Sequence, residues 1–308
     1  MPMKFAFSTV ACPKWNFQTI AARAKEYGYD GVEIRGFLNE PVAPAADIFG
    51  SDLIAMKELF AQQGIKIACL SSAIAMSCDS HKDASLADDC RRFIDTAASL
   101  GCGLVKILDT RVKPGRNRSS VAMELGEWLA PLGDYAAGRN VGIVLENALS
   151  FRVAREMWLI LDRLNQPSIN CCWNVLNAAL AGEAPAVSVP TLNSRIELAQ
   201  VTDAKLTSQN ATLTRLGDGD VQVRKLLTRL RGIGYHGWVS MHWDKVSMPT
   251  LAEPEDILPD SIKKLREWTT PPPRPEPKAP PKAAVKKEPV AKTLVAAVPT
   301  APAPTEAR

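Results

Sequence analysis

Residues 141–177 read VGIVLENALSFRVAREMWLILDRLNQPSINCCWNVLN. Two short apolar runs, Val141–Asn147 and Ile169–Val175, have the length and residue types of buried strands. Between them, Arg152–Leu164 changes to the 3.6-residue period of a helix. Strand, helix and strand in this order form a parallel crossover unit. The second run ends unusually, with two amides three apart, Asn174 and Asn177, where the chain should emerge at a surface.

The same alternation extends in both directions. Upstream, strands are expected at Lys4–Val10, Gly31–Gly36, Lys66–Ile74 and Gly103–Asp109. The helices between them are Asn16–Tyr27, Asp52–Gln63, Asp83–Leu100 and Ser119–Ala137. Asn16 is placed to cap the first helix and Gly28 to end it; Gly64 and Gly101 end the next two. Downstream, a short helix from Ser188 precedes a strand at Ile196–Ala204. Helix Val221–Ile233, strand Trp238–Asp244 and helix Pro259–Trp268 follow. Eight βα units in a body of this length predict an α/β fold of the (β/α)8 barrel type. A doubly wound open sheet would want a Gly-rich phosphate loop after an early strand, and the sequence has none.

Composition divides the chain of 308 residues into two parts. From Thr269 onward, eleven of the 23 prolines and an excess of Lys and Ala occupy forty residues. Such a segment buries too little apolar surface to offset its chain entropy. Residues 1–268 are therefore expected to form the barrel and 269–308 a disordered, Pro/Lys/Ala-rich tail. The tail holds seven Lys/Arg against three Asp/Glu, hence the whole net charge of +4, while the body is balanced at 30 against 30. A neutral body gives no sign of a nucleic-acid-binding face; the basic tail would suit an acidic partner. No apolar run is long enough to span a membrane. Seven cysteines occur without a CxxC pair, and neighbours Cys171 and Cys172 point to opposite faces of a strand. Reduced, buried thiols and a cytoplasmic location are expected.

In a parallel barrel, chemistry collects at the C-terminal ends of the strands. The polar residues there are Glu33 and Arg35, Ser71 and Ser72, Lys106 and Asp109, Glu146 and Asn147, Asn174 and Asn177, Gln200, Thr202 and Asp203, and His242 and Asp244. Period-two alternation sets Ser240, His242 and Asp244 on one face and bulky Met241 and Trp243 on the other, so His242 should face the pocket. Glu33 is expected to pair with Arg35 or Lys106. Asp203 would bind substrate or cap the loop after it. Lys106 and Arg111 could hold a phosphate or carboxylate, and Trp15, Trp173 and Trp243 could wall a sugar site or pack in the core.

Four segments carry a resemblance: ACPKWNFQTIAARAKEYGYDGVEIRG (residues 11–36), VLEN (144–147), GEAP (182–185) and LGDGDVQVRKLLTRLRGIGYHGWVSMHWDK (216–245). Together they resemble the sugar phosphate isomerase/epimerase family, the xylose-isomerase-like TIM barrels. The likeness spans residues 3–268 and leaves out the tail. It implies one divalent metal held by four side chains: Glu on the fifth strand, Asp on the sixth, His on the seventh and Glu on the eighth. It also implies proton exchange by the two glutamates at a carbon between a hydroxyl and a carbonyl, since a hard cation polarises the carbonyl and carboxylates serve as base and acid.

Carried onto this chain, those positions are Glu146, Asn174, Gln200 and His242. Only the first keeps its family residue, and the His three after the sixth-strand Asp is Asn177. Ligand charge falls from three negatives to one, which leaves too little to retain a divalent ion. The expectation is a sugar or sugar phosphate isomerase/epimerase-like protein that acts on a small polyhydroxylated, hydroxy-carbonyl substrate. Glu146 would be the base and His242 the acid, with Asn174, Asn177, Gln200, Asp203, Lys106 and Trp15 binding substrate and no tightly held metal. Two alternatives stand beside it. One is a non-catalytic descendant that binds a sugar-like ligand, or a protein through the tail. The other is a manganese, magnesium or zinc site with Glu146 and His242 as its main ligands.

Overall fold

The Ile169–Asn174 strand is buried along its whole length, as a strand must be when a sheet covers one face and helices the other. The computed structural model describes residues 2–37, 40–41, 53–76, 84–164, 166–207 and 210–270. The expected tail lies outside these residues, apart from its first two positions.

Eight strands form the barrel: β1 (Lys4–Ser8), β2 (Gly31–Ile34), β3 (Lys66–Met76), β4 (Leu104–Thr110), β5 (Gly142–Glu146), β6 (Ile169–Asn174), β7 (Ile196–Val201) and β8 (Trp238–Met241). Every neighbouring pair is parallel, and β1 pairs with both β2 and β8, which closes the ring. The helices are α1 (Phe17–Tyr27), α2 (Leu53–Gln63), α3 (Ala84–Leu100), α4 (Arg118–Ala137), α5 (Ala154–Leu164), α6 (Val175–Leu180), α7 (Pro185–Leu192), α8 (Val223–Gly232) and α9 (Pro254–Thr269). The predicted caps of α1 are present. Asn16 Oδ1 accepts from the Thr19 amide at 2.8 Å, and Gly28 takes φ +87°, a left-handed conformation open to glycine.

Alternation sorts the core into two shells. Val32, Ile34, Ile143, Leu145, Cys171, Trp173, Val239 and Met241 pack outward among the helices. Ala6, Ala68, Val144, Cys172, Leu198 and Trp238 fill the barrel interior. Small residues are needed there because Trp238 occupies much of the N-terminal end. A Cβ at Gly31 would come within 2.8 Å of that indole and 2.6 Å of the Lys66 carbonyl, so only glycine fits.

Several strand ends differ from the sequence reading. β1 stops at Ser8 and the chain turns through a 3-10 segment, Thr9–Ala11. β3 runs on to Met76, with register shifts against β4. β7 ends at Val201, after which Asp203–Leu206 leaves the barrel and pairs antiparallel with Ala211–Thr214. α9 begins at Pro254, directly after the N-cap Glu253, where a missing amide hydrogen costs little, and continues through Pro259. α6 was not foreseen: it starts at Val175, directly on the end of β6.

Candidate functional site

That abrupt start explains the amide at 174. Asn174 Oδ1 accepts from the amides of Leu176 and Asn177 at 3.1 and 3.3 Å, which makes it the N-cap of α6. Its own amide donates to Asn147 Oδ1 at 2.7 Å. With the oxygen turned to the helix, the Nδ2 group must face the barrel axis. It donates to Glu146 Oε1 at 3.1 Å and to Gln200 Oε1 at 3.2 Å. Gln200 therefore presents its own Nε2 on the other side, which donates to Glu33 Oε1 at 2.6 Å. Ser71 Oγ donates to the same oxygen at 2.6 Å. One hydrogen-bonded chain thus links the carboxylates of β2 and β5 through two amides, with every direction set by the helix cap.

Glu146 ends this chain. Its Oε2 lies against the Lys106 ammonium, and both side chains are buried. Burial raises the Glu146 carboxyl pKa, but the charges of Lys106, Arg35 and His242 more than offset that and bring it down to about 2. Both its oxygens are thus engaged by donors. Glu33 is fully buried, and the expected ion pairs with Arg35 and Lys106 are absent among the described residues. Its Oε2 has no hydrogen-bond partner among the described residues.

His242 sits just past β8 and faces inward, as alternation predicts, while Met241 and Trp243 belong to the outer core. Its Nε2 lies 3.2 Å from Arg35 Nη1. A guanidinium only donates, so Nε2 must accept, and a neutral ring then carries its proton on Nδ1. Burial first, and then the Arg35 charge, lower the imidazole pKa below 6.5 and favour this neutral form. Nδ1 has no partner.

The remaining candidates lie elsewhere or have other roles. Asp203 is a loop organiser: its carboxylate accepts from the amides of Ala204, Gly217, Gly219 and Val221 at 2.7–3.1 Å. A Cβ at Gly219 would lie 2.0 Å from Asp203 Oδ1, which explains the glycine. These bonds are those of the loop-capping alternative that stood beside substrate binding for Asp203. Asp109 likewise holds the loop after β5, accepting from the amides of Ala148, Leu149, Ser150 and Phe151. Asn177 is half-buried in α6, Trp15 packs half-buried against the core, and Trp173 is fully buried in the outer shell rather than at the pocket. A cavity of about 560 Å³ opens at the N-terminal end, lined by Lys4, Asp30, Tyr235 and Arg266 among others. It is remote from these groups, and Asp30 there is tied to the Phe5 amide and Arg266.

Among the described residues, no three His, Cys, Asp or Glu side chains converge as a metal-ligand group. No described helix is long and apolar enough to cross a membrane. The six described cysteines are free and buried.

Residues 21–268 match the protein family described as xylose isomerase-like TIM barrel. No curated protein matches the chain. Among solved structures, a D-allulose 3-epimerase from Methylomonas sp. is 17% identical with a TM-score of 0.68, over 87% of this chain and 98% of that one. The IOLI protein with a bound zinc atom is 17% identical with a TM-score of 0.71, over the same shares. The 3-keto-D-glucoside 4-epimerase YcjR from E. coli is 14% identical with a TM-score of 0.68, over 86% and 99%. At these identities the likeness concerns the fold.

Proposed function

The chain belongs to the xylose isomerase-like TIM barrel family, and from that premise we propose an isomerase- or epimerase-like protein that moves a proton on a hydroxy-carbonyl compound without a divalent cation. The substrate is a small polyhydroxylated molecule, and the pocket's amides and hydroxyls serve its hydroxyl groups. The observation that carries this reading is the neutral His242, whose Nδ1–H has no acceptor among the described residues. A fixed donor of this kind stabilises the oxygen of an enediolate as charge develops on it. Lys106, with Arg35 behind the imidazole, supplies positive charge to the same mouth.

The metal-free part rests on the donor set. Asn174 Oδ1 is held by a helix cap, Gln200 Oε1 by Asn174, both Glu146 oxygens by Asn174 and Lys106, and His242 Nε2 by Arg35. A divalent ion needs several oxygen lone pairs directed at one point. Here four inherited positions present engaged acceptors or N–H groups, beside an ammonium. The residues present do not fit the ion. Glu146 is the base expected from sequence. Doubly hydrogen-bonded and strongly acidic, it is better suited to holding the Lys106 charge in place.

The test is solvent deuterium incorporation, followed by proton NMR, across a panel of D-ketohexoses and their phosphates. Exchange at a carbon next to the carbonyl, insensitive to EDTA and lost in His242→Ala, is expected. EDTA-sensitive exchange would sink the metal-free part. A non-catalytic binder is the second reading, favoured by the replacement of the family's acids. Calorimetric binding of these sugars with no exchange would establish it instead. Free, buried thiols fit a reducing compartment, and a cytoplasmic location is proposed on that ground.

A further inference from the structure

Among the described residues, four buried polar atoms at the barrel mouth have no hydrogen-bond partner: Ser8 Oγ, Ser240 Oγ, Glu33 Oε2 and His242 Nδ1. They come from three consecutive strands of the ring, β8, β1 and β2. Register sets Ser8 beside Glu33 and Ser240 beside Ala6. All four face the axis, because their chain neighbours Phe7, Val32, Val239 and Met241 belong to the outer shell. An unpartnered buried polar atom has given up water with no hydrogen bond in return. On the opposite side, Glu146, Asn174 and Gln200 of β5–β7 all have partners. Four open atoms gathered on one side of a mouth mark a place where a ligand completes the bonding.

We infer that the β8–β1–β2 side of the mouth is the reaction subsite, with Glu33 as the catalytic base and His242 Nδ1–H on the carbonyl oxygen of an α-hydroxy-carbonyl substrate. This deepens the proton-transfer reading above and rests on it. Glu33 suits the role because its Oε1 is fixed by Ser71 and Gln200 while Oε2 has no partner among the described residues. In the forward step the substrate C–H bond breaks and its proton forms an O–H bond with Glu33 Oε2. The electron pair enters a new C=C bond. The carbonyl π pair moves to oxygen, giving an enediolate that accepts from Nδ1–H. Passage of the second oxygen's hydroxyl proton to the first oxygen then lets Glu33 return its proton to the adjacent carbon, restoring the carboxylate. Ser8 and Ser240 hydroxyls are placed to hold the neighbouring oxygens. Glu146, on the far side, acts only through Lys106.

The experiment compares Glu33→Gln, Glu146→Gln, Ser8→Ala and Ser240→Ala with the wild type in the deuterium assay, using the same ketohexose panel. Glu33→Gln keeps an acceptor for Ser71 and Gln200, so its fold should persist, which circular dichroism checks. Expected results are a fall in kcat of about 100-fold or more for Glu33→Gln and a far smaller fall for Glu146→Gln. Each serine variant should raise KM roughly two- to tenfold with an unchanged Tm. Exchange that survives in Glu33→Gln but vanishes in Glu146→Gln overturns this assignment and leaves the proton-transfer reading intact. Serine variants with wild-type KM overturn the subsite, whose atoms then hold only water. A wild type that exchanges nothing overturns the proton-transfer reading itself, and the assignment with it.

Discussion

The Lys106 ammonium and the Glu146 carboxylate form an ion pair in which neither side chain is more than 4% exposed. They stand on neighbouring strands, β4 and β5, with Leu108 rather than Lys106 in register with Glu146, so the lysine reaches along the axis to meet the acid. Removing one partner leaves a buried charge. Lys106→Met should cost about 3–5 kcal/mol of unfolding free energy, and the double variant Lys106→Met, Glu146→Gln should recover much of it. Urea denaturation at neutral pH measures both. A single variant as stable as the wild type would show that the pair does not form.

The same pair predicts an acid limb in stability. The Glu146 carboxyl lies lower in the folded chain, at about 2 against 4.5. Its contribution is therefore complete above pH ~4.5 and is lost as pH falls through about 2. Size is on the order of 3 kcal/mol. Unfolding free energies of wild type and Glu146→Gln should converge as pH drops through that window. A gap that stays constant would exclude Glu146 as its source.

Divalent cations should leave the thermal midpoint unmoved. An ion bound with a dissociation constant one hundredth of its concentration would stabilise the fold by about 2.7 kcal/mol. Melting with manganese, magnesium or zinc, and with EDTA, checks this, and elemental analysis of the purified protein gives an independent count. One tightly held equivalent would refute the donor-set argument.

Asp203 and Gly219 should behave as one structural device. Asp203→Ala strands four amide donors, and Gly219→Ala drives a methyl into the Asp203 carboxylate. Each should cost about 1–3 kcal/mol or more. Hydrogen exchange at residues 217–221 should speed up in both variants, while a substrate-binding role for Asp203 would change KM without that loss of protection.

Thiol reagents should find little to modify in the native chain. Burial pushes the Cys90 thiol up to about 12 and Cys102 up to about 11, and it raises Cys69, Cys171 and Cys172 well above the ordinary thiol value. Thiolate is the reactive form. At pH 8, rapid Ellman titration should count at most one thiol, at Cys78, which lies outside the described residues. Several fast thiols would contradict the core packing.

The barrel was legible in the sequence because its cause is local. Apolar periods of two and 3.6, with Asn16 and Gly28 at the helix ends, are written in consecutive residues. The inward turn of His242 comes from the same alternation. Where a strand stops was less legible, since the next segment of chain decides it. β6 ends because Asn174 caps α6, and β7 ends because the chain peels away into a hairpin. Arg35 and Lys106 also stand at strand ends and suggest a charged partner for Glu33, yet it is held by Ser71 and Gln200.

By itself, then, the sequence determined that eight βα units close a ring and that Glu146, Asn174, Gln200 and His242 stand at strand ends, since repeating burial patterns need only near neighbours. Only the tertiary structure decided what those positions offer a ligand. Asn174 bonds to Gln200 across 26 residues, and Gln200 to Glu33 across 167. Whether an amide shows a lone pair or a hydrogen is set by partners that the fold, and no stretch of chain, brings into hydrogen-bond reach.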